Sequence, residues 1–160
     1  MLKSLSILLT LSFAWERNGM TYTNGKYCPN VTMSSDSSVA SMEHMQWVGV
    51  DWIAIVTTWY SKNQSTIPIF PIYDEPYPIN NDNYYEFKTA KDEDIIFAIH
   101  KAKELGMNVL LKPHIDLMDV DRHVIWRGNI GANFTDSEWN EWFKEYETFI
   151  LHYAHIAEEN

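Results

Sequence analysis

The run Trp-Ile-Ala-Ile-Val-Thr-Thr-Trp at 52–59 is nearly continuous in apolar and β-branched residues. That composition suits a strand covered on both faces, not one with a wet side. Strands of this kind occur in parallel sheets flanked by helices, so the rest of the chain must supply the crossovers. A second strand is expected at 108–114, and the apolar run it belongs to, 109–116, ends abruptly in Lys112, His114 and Asp116. Between the two runs, Ile95, Ile99 and Ala102 recur at helical spacing and Gly106 supplies a stop. Thr89 with Asp92 is expected to form a capping box at the start of that helix.

The same alternation extends to both sides. Upstream, a short strand at 19–22 precedes a helix over about 38–47, whose Val39, Met42 and Met45 share one face and which Gly49 closes. Downstream, Thr135-Asp136-Ser137-Glu138 reads as a second capping box. Behind it Trp139, Trp142, Phe143, Tyr146, Phe149, Ile150 and Tyr153 form a stripe that faces a core. Strand then helix, three times over, is the pattern of parallel βαβ units in an α/β fold.

The 160 residues hold about three such units, against the roughly 250 residues of a closed eight-unit barrel. With 22 acidic and 12 basic residues the net charge is −10, which argues against nucleic acid or an anionic membrane as partner and favours a neutral ligand. Residues 1–14 combine Lys3, an apolar run at 5–13 and the small-x-small ending Ser12-Phe13-Ala14. This is the layout of a secretory signal peptide cleaved after Ala14, leaving 15–160 as the working domain. The expected location is secreted, or else a lysosomal or other endomembrane lumen. Asn30, Asn63 and Asn133 each begin an Asn-x-Ser/Thr acceptor for glycosylation. The lone Cys28 permits no internal disulfide and reads as a small packed side chain.

In parallel α/β folds, sites form at the C-terminal ends of the strands. Trp59 and Tyr60 stand at one such end, and His114 and Asp116 at the next. Trp126, Arg127 and Gly128 lie in the loop that follows. Trp59, Tyr60 and Trp126 are therefore expected as stacking platforms, and His114, Asp116 and Arg127 as hydrogen-bonding groups. Each also has a plainer role: His114 as a satisfied strand-end histidine, Arg127 as a clamp on Asp116. Thr57 and Thr58 read as interior packing or hydrogen bonding. Segment 61–88 holds four of the six prolines and many aromatics, and its length points to a functional, ligand-facing excursion. Glu75 within it reads as a solvated loop carboxylate.

The series Asp51-Trp52-Ile53-Ala54-Ile55-Val56, Trp59-Tyr60, Asp92-Glu93-Asp94, Leu111-Lys112-Pro113-His114, Asp116 and Trp126-Arg127-Gly128 resembles glycoside hydrolase family 113. The resemblance runs over about 19–159 and includes the helix that begins near Trp139. It implies part of a (β/α)8 TIM barrel, with hydrolysis of β-glycosidic bonds in a polysaccharide such as mannan by a retaining, two-carboxylate mechanism. The partner would be an oligosaccharide or polysaccharide, with no cofactor. In such barrels the acid/base Glu ends strand four and the nucleophile Glu lies near strand seven, so no catalytic residue is expected before Asn160.

Two other readings compete with that one. A secreted, non-catalytic carbohydrate-binding remnant or pseudoenzyme would use the same wall without cleaving. A metal-dependent barrel hydrolase would draw on His114, Asp116, Asp119, Asp121 and His123, although their spacing matches no strong metal signature. Three βα units alone also leave sheet edges open, which predicts self-association.

Overall fold

Strands with two apolar faces are stable only when both are covered, and parallel pairing with helical crossovers achieves this on at least one side. The computed structural model, which describes residues 17–23, 31–73, 87–118 and 126–160, has this arrangement. Strands β1 (Gly19–Thr23), β2 (Trp52–Ser61) and β3 (Asn108–Leu117) form one parallel sheet in chain order. Helices α1 (Asp36–Trp47) and α2 (Asp92–Glu104) make the crossovers, and α3 (Asp136–Glu159) follows a single 3-10 turn at Arg127–Asn129. The register sets Ile53 beside Met20 and Val109, Thr58 beside His114, and Tyr60 beside Asp116.

The pleat sorts the side chains. Ile53, Ile55, Thr57 and Trp59 of β2 alternate onto one face and are buried there. That face packs with Met42 of α1, Ile95, Ala98, Ile99 and Ala102 of α2, and Phe149, Tyr153 and Ile156 of α3 into a single core. Full burial of one such aliphatic side chain is worth roughly 1.5–3 kcal/mol, so these helices hold by their apolar stripes. The stripes at 95–102 and 142–153 are thus the ones legible in the sequence. Phe143 is the exception on α3: Trp142 turns inward and Phe143 stays exposed.

The boundaries differ from expectation at three places. Both β2 and β3 run on beyond the apolar stretches, to Ser61 and Leu117. For β2 the reason is a partner: Tyr60 N–H and C=O exchange 2.9 Å bonds with Phe70, which folds the start of the long excursion back along the strand. Helix α1 begins at Asp36, ahead of the expected start. The capping box at Thr89 does not form, because α2 starts from Lys91 without a side-chain cap. Thr89 is instead fully buried. Its hydroxyl donates to the Thr58 carbonyl (2.9 Å) and accepts from the Ile72 N–H (2.9 Å), stapling three segments together. The second box does form, with Glu138 N–H bonding Thr135 Oγ1 at 3.3 Å and Thr135 N–H bonding Glu138 Oε2 at 2.7 Å. Those bonds hold the Glu138 carboxyl below the usual carboxylate range.

Opposite the helices, the sheet's other face carries Ala54, Val56, Thr58 and Tyr60 from β2, and Leu110, Lys112, His114 and Asp116 from β3. Leu110 is 54% exposed on it. Among the described residues no helix is long and apolar enough to cross a membrane. The segments 1–14 and 74–86, together with Cys28 and Asn30, lie outside the described residues.

Candidate functional site

Alternate residues of a strand share a face, so Lys112, His114 and Asp116 form one column and Val56, Thr58 and Tyr60 the column beside it. The column residues nearest the strands' C-terminal ends are polar, and Thr58 faces His114 across the two columns at 3.3 Å. Arg127, brought back over the sheet by the 3-10 turn, sets Nη1 2.6 Å from His114 Nε2 and 3.4 Å from Asp116 Oδ1. A guanidinium has donors only, so His114 Nε2 must accept. The imidazole proton therefore sits on Nδ1, where it faces Thr58 Oγ1 at 3.3 Å. The chain Thr58–His114–Arg127–Asp116 fixes both the ring orientation and the tautomer of His114.

The loop that delivers Arg127 is itself anchored. Asn129 N–H bonds the Trp126 carbonyl at 2.8 Å, and Gly131 N–H bonds the Gln64 carbonyl at 2.9 Å, tying the loop after β3 to the loop after β2. Gly131 sits at φ +75°, and a methyl there would overlap the Trp139 indole. Any L side chain is thus disfavoured twice at that position, by backbone conformation and by packing. The Trp126 ring lies across Gly128, where a side chain would displace it, and remains 69% exposed. Trp126 is thus an exposed ring one residue ahead of a half-exposed guanidinium.

Tyr60 shares the site's face but not its surface. It is buried against Phe87, with ring centroids 5.2 Å apart, and against Met118. Its hydroxyl donates to the Lys88 carbonyl (3.1 Å) and accepts from the Lys88 N–H (3.2 Å). Burial pushes the phenol up to about 12; the Lys88 bond opposes the shift and the Asp116 charge adds to it. Tyr60 is a floor under Asp116, not a stacking surface.

Trp59 departs further from expectation. Its position at the strand's end is as predicted, but its parity places the indole on the helix face, 8% exposed. There it packs 5.4 Å from the ring centroids of Phe149 and His152 and 6.2 Å from that of Tyr153. As a stacking platform it is unavailable, since α3 covers it. Thr58 takes its place in the site, and Thr57 lies on the covered side with Trp59. The signal that separates them is period-two parity relative to His114 and Asp116, which requires the β2–β3 register.

Of the remaining expected residues, Asn63 is half-buried and its Oδ1 accepts from Ser65 N–H at 2.9 Å, while Asn133 is exposed. Asp119, Asp121 and His123 lie outside the described residues. Among the described residues no three His, Cys, Asp or Glu side chains gather as a metal-ion site. Chemically, the wall can accept a hydrogen bond from a hydroxyl at Asp116 and donate from Arg127, and the exposed Trp126 ring stands in the same loop as Arg127. Asp116 is the sole carboxylate on this face of the three described strands.

Comparison with known proteins bears on the family and the fold. The chain matches Glycoside Hydrolase Family 113 over residues 20–160. A solved family 113 β-1,4-mannanase is similar at TM-score 0.65 and 22% identity, covering 88% of this chain and 41% of that one. A family 113 β-mannanase from Alicyclobacillus acidocaldarius, AaManA, in complex with ManMIm, is similar at TM-score 0.64 and 27% identity, covering 88% and 40%. The chain thus spans about two fifths of the length of the solved structures it matches. Curated protein sequences gave no match. The three βα units correspond to part of the family's TIM barrel, and the chain belongs to glycoside hydrolase family 113.

Proposed function

We propose that this chain forms the sugar-binding wall of a glycoside hydrolase that cleaves β-linked mannan. The observation that carries the reading is the His114–Arg127–Asp116 network at the C-terminal end of a parallel strand, with the exposed Trp126 preceding Arg127 in the chain. Sugar hydroxyls need donors and acceptors fixed in place, and the apolar face of a pyranose suits an exposed indole. Family membership and the similar mannanase structures support carbohydrate as the ligand.

Retaining hydrolysis needs two carboxyl groups about 5–5.5 Å apart. The described strands present one, Asp116, already held by Arg127. The wall therefore orients substrate, and the acid/base and nucleophile carboxylates come from later strands of a complete barrel. Titration of the protein with mannohexaose by calorimetry tests this, with cellohexaose as comparison. Mannohexaose binding that is lost in Trp126→Ala and Arg127→Ala supports it; affinity indifferent to both substitutions refutes it.

A non-catalytic carbohydrate-binding role draws on the same single-carboxylate wall. Release of reducing ends from mannan, assayed beside binding, separates the two. Segment 1–14 is proposed as a secretory signal, tested by N-terminal sequencing of the exported product. The outer edges of β1 and β3, unpaired among the described residues, favour self-association of the chain on its own. A cooperative, stable monomer in size-exclusion chromatography and thermal melting would count against that.

A further inference from the structure

We propose that Thr58 is a positioning residue of the sugar-binding wall: its hydroxyl oxygen receives the His114 Nδ1 proton and thereby keeps Arg127 shared between His114 and Asp116. Arg127 Nη1 is the atom both groups compete for, 2.6 Å from His114 Nε2 and 3.4 Å from Asp116 Oδ1. The shorter contact is attractive only while Nε2 carries a lone pair, because a guanidinium has no acceptor. A neutral imidazole in that state donates from Nδ1, and across the sheet from Nδ1 stands Thr58 Oγ1 at 3.3 Å.

The acceptor is held where the proton needs it. Thr58 and His114 are direct partners in the β2–β3 register, and a β-branched threonine has few χ1 choices. The Thr58 carbonyl takes the Thr89 hydroxyl at 2.9 Å, and Thr89 is fully buried, so the backbone that carries the acceptor is tied to the segment leading into α2. Neighbouring Thr57 cannot stand in, since period-two alternation puts it on the covered face. The Thr58–His114 contact is part-buried, so water compensates only incompletely for an Nδ1–H stripped of this acceptor.

Without the Thr58 oxygen, the tautomer with the proton on Nε2 gains weight. It sets N–H against N–H at the Arg127 contact, and Arg127 turns from the ring onto Asp116. The carboxylate is then held more closely by the guanidinium and is less open to a ligand hydroxyl. Thr58 thus acts on ligand through His114 and Arg127, with no contact of its own required. The ligand half of this inference rests on the sugar-binding reading; the tautomer half does not.

Nitrogen-15 spectra of histidine-labelled protein at mildly alkaline pH read the tautomer, with the His114 signals assigned by their absence from His114→Gln. In the unsubstituted protein, Nδ1 should carry the proton and Nε2 should show the unprotonated shift. Thr58→Val, nearly isosteric, should lose that single-tautomer signature and bind mannohexaose about fivefold more weakly, the scale of one neutral hydrogen bond. Thr58→Ser should restore both. A protonated Nε2 in the unsubstituted protein, an unchanged His114 spectrum in Thr58→Val, or a changed spectrum with unchanged affinity each overturns the proposal. If the unsubstituted protein binds no mannohexaose, the sugar-binding reading fails and the ligand half falls with it, while the spectra still decide the tautomer half. If Thr58→Val does not fold, Thr58→Ala is measured in its place.

Discussion

Arg127 Nη1 lies 2.6 Å from His114 Nε2, joining the loop after β3 to the strand that precedes it. The same Nη1 lies 3.4 Å from Asp116 Oδ1. One side chain therefore orients both polar groups at the end of β3. As an ion pair the Arg127–Asp116 contact is part-exposed and worth at most about 1 kcal/mol to stability. Its value lies in geometry: it holds an acceptor and an imidazole where a ligand would meet them.

Arg127→Lys should therefore weaken mannooligosaccharide binding by about tenfold, roughly 1.4 kcal/mol, with little change in melting temperature. A lysine ends short of the Nη1 position, and its rotatable ammonium lacks the fixed donor directions of a planar guanidinium. Calorimetric titration and thermal melting of the same preparations check both halves. A large drop in melting temperature would instead make Arg127 a structural clamp.

Gly131→Ala should cost clearly more stability than Gly106→Ala. Both residues have positive φ, +75° and +79°, so an alanine is strained at either, by about 1–2 kcal/mol each. Nothing lies within 4 Å of a Cβ at Gly106, whereas at Gly131 it would meet the Trp139 ring. Denaturant melts of the two variants give the comparison, and equal losses would show that the Trp139 contact is soft.

Much of this was legible in the sequence. The 52–59 run reads as a strand with two apolar faces, and the structure buries the face of Ile53, Ile55, Thr57 and Trp59 while Ala54, Val56 and Thr58 stay half-buried; the stripes at Ile95, Ile99 and Ala102 and at Trp142, Phe149 and Tyr153 do face the core. His114 and Asp116 are identifiable because an apolar strand ends in them, and Arg127 because it stands in the loop that follows. What failed was orientation. Whether Trp59 or Thr58 faces the site depends on a one-residue parity that the sequence of β2 hides, since both its faces read as apolar. Thr89 misled for a different reason: its capping pattern was sound locally, but a buried tertiary bond to the Thr58 carbonyl claimed the hydroxyl.

Trp59→Ala and Trp126→Ala should separate these roles. Removing the Trp59 indole empties a space lined by Phe149, His152 and Tyr153 and should cost about 3–5 kcal/mol. Removing the exposed Trp126 ring should leave stability within about 0.5 kcal/mol and act on ligand affinity. Paired melting and binding measurements check this. A stable Trp59→Ala variant that has lost binding would return Trp59 to the site.

Alkaline pH should destabilise the fold through Tyr60. Its phenol is raised from 10 to about 12 in the folded protein, chiefly by burial. The unfolded chain thus releases this proton first as pH rises. The stability it contributes is complete below pH 10 and is lost progressively between pH 10 and 12, by roughly 2–3 kcal/mol for a two-unit difference. Tyr153 is shifted the same way by burial and adds to the loss in the same direction. Tyr60→Phe should start less stable at neutral pH, having lost the two Lys88 bonds, yet decline less steeply above pH 10. Urea melts at intervals from pH 8 to 11.5 measure that slope. Equal slopes for the variant and the unsubstituted protein would show that Tyr60 does not ionise on unfolding in this range.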